Sequence, residues 1–272
     1  MDDPSPEPPP LPPNAERSKS GTPIYRYNLP TEKPEIVTGD PSLIKAIDRH
    51  IEKHLGEPAW VFHEIVSTTI HVDIHVCPPT AERPFYTLVT SGMAERPMKA
   101  PPQASECEFA ELCVCLPPDW PGLAETKLYV IPGDDSDHPW NDERHYWPVR
   151  MLKWLARFPH EYRTWIWHGH TAHNGNPATP FAPNTQMCAA MLDVNPQLPE
   201  DFHHLRVGDR DVAFFTVYPL HEDEVRYKLD HGYKAFTDKL EAAGITAVID
   251  PARRSVVAPP PKSKPWWKFW PR

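Results

Sequence analysis

The chain has 272 residues, enough for one large domain or two small ones. Forty per cent of them are hydrophobic, and ten Trp, nine Tyr and ten Phe supply a real core. The formal charge is −9, but residues 253–272 carry six bases and no acid, so the body between the termini is more acidic than the total suggests. Such a body disfavours nucleic acid as the main ligand, because phosphate contacts need a basic footprint; it suits a basic protein partner or plain solubility.

Residues 1–35 read as a disordered arm, since seven prolines fall in the first thirteen residues and little apolar surface is left to bury. Asp40-Pro41 then opens a helix as N-cap and N1 residues. Ile44, Ile47, Ile51 and Leu55 form its apolar stripe, and Gly56 closes it. Strands are predicted at Trp60–Val66 and Ile70–Val76. In the second, Ile70, Val72, Ile74 and Val76 face one way, and His71, Asp73 and His75 the other. Further strands are expected at Arg83–Thr90, ended by Ser91-Gly92, and at Phe109–Leu116, with Lys127–Ile131 a strand or an irregular connection.

Residues 132–145 form an acidic loop into a second helix, with Pro148 at N1 and an exit at Pro159. Met151, Leu152 and Leu155 are its buried side, and Trp147 and Trp154 are read as core fillers. Strands return at Thr164–His170, Gln186–Val194 and Asp211–Tyr218. A last helical region spans Glu222–Ala243, interrupted at Gly232 and capped by Gly244. Strands in runs between helices argue for an α+β fold: a central mixed, largely antiparallel sheet flanked by helices, with disordered N- and C-terminal tails.

The domain boundaries expected are 1–35 for the arm, 36–252 for the folded unit and 253–272 for a basic, aromatic tail. Trp266-Trp-Lys-Phe-Trp270 is expected to dock on a partner or a lipid surface. Five cysteines without a Cys-x-x-Cys indicate neither a disulfide framework nor a zinc knuckle. No signal peptide or membrane-spanning apolar run is visible, so the cytoplasm is the default.

Chemistry has few footholds. His71, Asp73 and His75 on one strand face, with His168, His170 and His173 at a strand end, suggest a binuclear metal-dependent hydrolase as the alternative function, provided that the two groups meet in space. Ser91 lacks a nucleophile elbow, Cys188 sits in mid-strand, and phosphate loops are absent. No catalytic residue, cofactor or resident metal is assigned.

Several collinear segments resemble the suppressor of fused family, in its single-domain bacterial form. They are His71-Val-Asp-Ile-His-Val-Cys-Pro-Pro-Thr80, Tyr86-Thr-Leu-Val-Thr-Ser-Gly-Met93 and Ala110-Glu-Leu-Cys-Val-Cys-Leu-Pro-Pro-Asp-Trp120. They continue with Tyr146–Arg157, Trp167-His-Gly-His-Thr171, Pro180-Phe-Ala-Pro-Asn184 and Val217–Val225. The resemblance implies a protein-binding α+β domain without catalytic residues. It also implies, for the bacterial members, immunity proteins that sequester a cognate toxin of a polymorphic toxin system. The two-domain clamp of the animal relatives is not expected, since little chain follows residue 252. The partner surface is placed on three loops: Ser91–Met98, with Ser91, Gly92, Met93 and Met98; residues 132–147, with Asp135 and Trp140; and His168–Asn184, with His168, His170, Phe181 and Asn184.

Overall fold

The computed structural model describes residues 16–27, 39–64, 69–124 and 138–258. In chain order the elements are β1 (Glu16–Arg17), β2 (Pro23–Ile24), α1 (Pro41–Leu55), β3 (Trp60–Phe62), β4 (Asp73–Cys77), β5 (Tyr86–Ser91) and β6 (Phe109–Leu116). Then come α2 (Glu143–Glu161), β7 (Thr171–His173), β8 (Ala189–Asp193), β9 (His204–Val207), β10 (Arg210–Leu220), α3 (Glu222–His231) and α4 (Tyr233–Ala242).

Eight strands form one sheet in the order β3-β4-β5-β6-β10-β8-β7, with β9 beside the first residues of β10. Among the described strands, only the β6–β10 pair is parallel; the other pairs are antiparallel. This is the mixed α+β arrangement expected from strands in runs. Period-two alternation sends Ile74, Val76, Leu88, Leu112, Val114, Phe215 and Val217 to one face, where α2 adds Met151, Leu152 and Leu155. Cys113, Cys115, Val89 and Phe214 point to the opposite face, under Leu43, Ile47, Ile51 and Leu55 of α1. Farther along that second face, α3 and α4 cover Met191 and Leu220 with Val225, Phe236 and Leu240. The sheet is thus covered on both sides, which is why its central strands read as near-continuous apolar runs.

The ends of α1 follow the expected chemistry. Asp40 accepts from the Ser42 and Leu43 amides, and the Gly56 N–H bonds Glu52 O. Leu43 heads its buried stripe, while Ile44 is half-buried against Gly39. At Gly232 the backbone takes φ 90°, breaking the last helical region into α3 and α4, and Gly244 (φ 67°) closes it.

The structure departs from several expectations. Helix α2 begins at Glu143 with Asp142 as N-cap, so Pro148 lies inside it and not at N1. Residues 164–170 are not a strand, because Gly169 at φ 74° turns the chain before β7 starts at Thr171. Strand β9 was not foreseen; its residues alternate between exposed and half-buried and lack an apolar face. Residues 16–27, assigned to a disordered arm, form the β1–β2 hairpin and pack on the body. Residues 253–258, assigned to the tail, are also anchored: Arg253 bonds the Glu224 carboxylate, and the Val256 N–H donates to it. Lys127–Ile131, Asp135 and Trp266–Trp270 lie outside the described residues.

Candidate partner-binding surface

The strand end at Thr90-Ser91-Gly92-Met93 has an internal task. Glu111 of β6 is fully buried, and a carboxylate there needs donors. The chain leaving β5 supplies them: Thr90 Oγ1 donates to Oε2 (2.6 Å), and the Gly92 and Ala94 amides donate to Oε1 (2.9 and 3.0 Å). Burial still holds the carboxyl above its usual range, against those bonds. Wrapping this turn around an anion requires φ 118° at Gly92, where a Cβ would sit 1.8 Å from His71 O. Ser91, Gly92, Met93 and Met98 are all buried, with Ser91 Oγ bonded to His75 Nε2 at 2.9 Å. They shape the surface from beneath and offer it no side chain.

An exposed feature lies on α2 instead. Trp147, Trp154, Phe158 and Tyr162 follow at spacings of seven, four and four, which puts them on one flank of a helix. Trp147 is fully buried and stacks on Phe181 (5.5 Å, 11°). Trp154 lies 6.4 Å from Phe181 and 6.0 Å from Phe158, and Phe158 lies 4.9 Å from Tyr162. The last three are half-buried, so the row is a seam of rings with one edge in water. Tyr27 of the N-terminal segment caps its far end, edge-on to Phe158 at 5.6 Å.

At the near end is a shallow cleft of about 410 Å³ between the first turns of α2 and residues 180–186. Arg150 spans its mouth, paired with Glu143 (2.9 Å) and donating to Phe181 O. Asn184 stands beside it, and its reason is legible: Pro148 has no N–H for Arg144 O, four residues earlier, and Asn184 Nδ2 donates to that carbonyl instead (3.1 Å). Residues 180–186 and the start of α2 therefore lie side by side. The Ser91–Met98 loop meets the other end of α2, where His160 Nε2 donates to Met93 O and Lys99 N to Thr164 O. From Arg144 to His160 is about 24 Å at 1.5 Å per residue. Among the described residues, the Ser91–Met98 turn and residues 180–186 therefore sit at opposite ends of α2.

The remaining candidates are held in place by neighbours. Trp140 is buried against Trp60 (5.0 Å) and Tyr146 (5.9 Å). His168 is exposed, and its Nε2 lies 2.9 Å from Asp193, which also accepts from the Tyr233 hydroxyl and the Val194 N–H. That carboxylate ties the 167–170 turn to α4. His170 packs on Trp165 (4.5 Å), and burial drops it to about 4. Burial also lowers Lys153 and Lys228 to about 8, the first with its ammonium 3.8 Å from the Phe62 ring, the second with Asp193 pulling the other way.

The sequence profile of the Suppressor of fused protein (SUFU) family matches residues 68–254. The chain belongs to the suppressor of fused family. Its fold is similar to that of a putative SUFU homolog from Neisseria gonorrhoeae FA 1090 (15% identity, TM-score 0.56, covering 81% of this chain and 100% of that one). It is likewise similar to a chain of the Sufu-Fu complex (13%, 0.51, 82% and 93%) and to Drosophila Suppressor of Fused (14%, 0.51, 83% and 54%). The chain thus spans about half of the Drosophila protein. Among curated protein sequences no relative matches it.

Within this SUFU domain the two histidine groups do not meet. Strand β4 and strand β7 are five places apart in the sheet, about 24 Å at 4.8 Å per strand. Asp73 spends its oxygens on His63 (2.9 Å), His71 (3.0 Å) and the Glu64 amide, while His75 turns to Ser91 and His173 to Glu222 (3.2 Å). The shared site that the hydrolase reading required is not assembled. Among the described residues, no group of three or more His, Cys, Asp or Glu is placed to hold an ion. Cys188 is buried, and burial with Glu222 nearby pushes its thiol up to about 11, which disfavours the thiolate that a nucleophile needs.

The sequence assigns Trp154 to the core and does not single out Phe158, Tyr162, Tyr27 or Arg150; the seven-four-four aromatic spacing is the signal that points to the row.

Proposed function

We propose that the chain is a non-catalytic protein-binding domain that acts by sequestration, as an immunity protein neutralising a cognate toxin of a bacterial polymorphic toxin system in the cytoplasm. The observation that carries the binding part is the half-exposed row Trp154–Phe158–Tyr162 beside Arg150. Trp, Tyr and Arg are the residue types on which binding energy concentrates, and Arg150 lines the cleft at the near end of the row. A similar chain was solved within the Sufu-Fu complex, which supports a partner protein as the ligand class. The acidic body favours a basic partner, because opposite fields accelerate capture. Five buried, unpaired cysteines suit a reducing compartment. Among the described residues, no helix is long and apolar enough to cross a membrane.

The toxin part rests on the family resemblance of the sequence. Co-expression with the product of an adjacent large gene carrying a toxin-like C-terminus tests it. A stable complex and a rescued host are expected. If the two proteins do not co-purify and the host dies, the immunity role is lost and the domain assignment alone survives.

A further inference from the structure

Residues 16–27 lie on the body as a strap with little holding it there. None of the twelve is buried. The hairpin tip is pinned by Gly21 N to Ser18 O (3.0 Å) and Arg17 to Gly21 O (2.8 Å). It rests on the α3–α4 break, where the Ser20 N–H donates to Leu229 O at 3.1 Å. Leu229 O is one of the last carbonyls of α3, left without a helical donor because the helix stops at His231. Ser20 Cβ sits 3.8 Å from where a side chain on Gly232 would begin. Lys19, 79% exposed, pairs with Asp230 at 3.1 Å.

The other anchor is Tyr27. Its ring stands edge-on to Phe158 and 5.9 Å from Tyr162, and its hydroxyl shares a hydrogen bond with Thr164 Oγ1. The residue as a whole is still 39% exposed. Beneath it lies the far end of the aromatic row on α2. The strap therefore covers part of the surface assigned above to partner binding, through few contacts: one backbone bond, one solvated ion pair, one hydroxyl–hydroxyl hydrogen bond and one half-covered ring.

We propose that residues 18–27 are a displaceable internal ligand, and that the face beneath them docks a turn-forming, basic, tyrosine-bearing segment of a partner protein. The strap itself defines that chemistry. Its backbone N–H finds the orphan carbonyl at the end of α3, a base precedes that contact opposite Asp230, and a tyrosine seven residues on lies against Phe158, Tyr162 and Thr164. While bound, the tethered strap competes at high effective concentration, and a partner must displace it. The inference rests on the protein-binding reading.

The test uses a labelled synthetic peptide of residues 16–27 and the full-length chain, parent and Tyr27→Ala with Lys19→Glu, followed by fluorescence anisotropy. Both substituted residues are on the surface, and circular dichroism checks that the fold is intact. At least tenfold tighter peptide binding to the variant is expected, abolished when Phe158→Ala is added. Equal binding by parent and variant, or binding by neither, overturns the proposal. Hydrogen exchange on the parent gives a second readout: amides 18–27 are expected to exchange far faster than those of α2, and equal protection also overturns it. Loss of this result with partner binding retained removes only the strap. Peptide exchange as expected, with no protein partner found, removes the sequestration reading instead.

Discussion

Replacing Glu111 by leucine tests the account of the β5 end most sharply. The carboxylate receives Thr90 Oγ1, Gly92 N and Ala94 N inside the protein, and an isosteric apolar side chain leaves all three donors without an acceptor. A buried unsatisfied donor costs about 1–3 kcal/mol. Three of them, less the gain from no longer burying a carboxylate, give a loss of about 3–5 kcal/mol. That is a large part of the stability of an ordinary domain. Glu111→Gln keeps an oxygen for the two amides and disturbs only the Thr90 bond, so about 1 kcal/mol is expected. Urea denaturation of the two variants beside the parent measures both numbers. A leucine variant as stable as the parent, or a glutamine variant as damaged as the leucine one, refutes the reasoning.

Asn184→Ala should cost about 1 kcal/mol in the parent and almost nothing in a Pro148→Ala background, where residue 148 regains an N–H for Arg144 O; a double-mutant cycle by denaturation reads that coupling, and additivity contradicts it. Gly92→Ala should destabilise by on the order of 3 kcal/mol or more, because φ 118° and the 1.8 Å approach to His71 O leave a side chain nowhere to go; a melting temperature within a degree of the parent's contradicts this. Burial lowers His75, His160 and His170 to about 4, so between pH 6.5 and about 4 the unfolded chain binds more protons than the folded one. Their stabilisation is complete above pH 6.5 and is lost as pH falls through that window, at up to about 1.4 kcal/mol per pH unit for each. Glu111, raised by burial, opposes that slope where it titrates, so denaturation of His160→Gln against pH is best compared in the Glu111→Gln background. An unchanged slope counts against the assignment.

The legible parts of the sequence were those where one local rule acts alone. Asp40-Pro41 and Gly56 bounded α1, the alternation of Ala110, Leu112, Val114 and Leu116 gave β6 in full, and Gly232 broke the last helix. Pro148 misled because a proline inside a helix is tolerated when another group takes the freed carbonyl, and Asn184 lies forty residues from Arg144. Thr164–His170 reads as a strand in β-branched and aromatic residues, yet Gly169 bends it. The sequence offers the Ser91–Met98 turn as surface because it is an irregular connection carrying Met. Only the pairing of β5 with β6 brings Glu111 under it and makes its irregularity an internal need. The aromatic row needed the fold to show which rings of the α2 stripe keep an edge in water.

The central claim is that this SUFU domain holds a partner protein along the outer flank of α2. Calorimetric titration of the full chain with the product of the neighbouring large gene tests it most directly, using the parent and a Trp154→Ala, Phe158→Ala variant shown to be folded. Saturable binding by the parent, weakened at least 100-fold in the variant, is the predicted result. Binding that the variant retains in full, or no binding by the parent, contradicts the account.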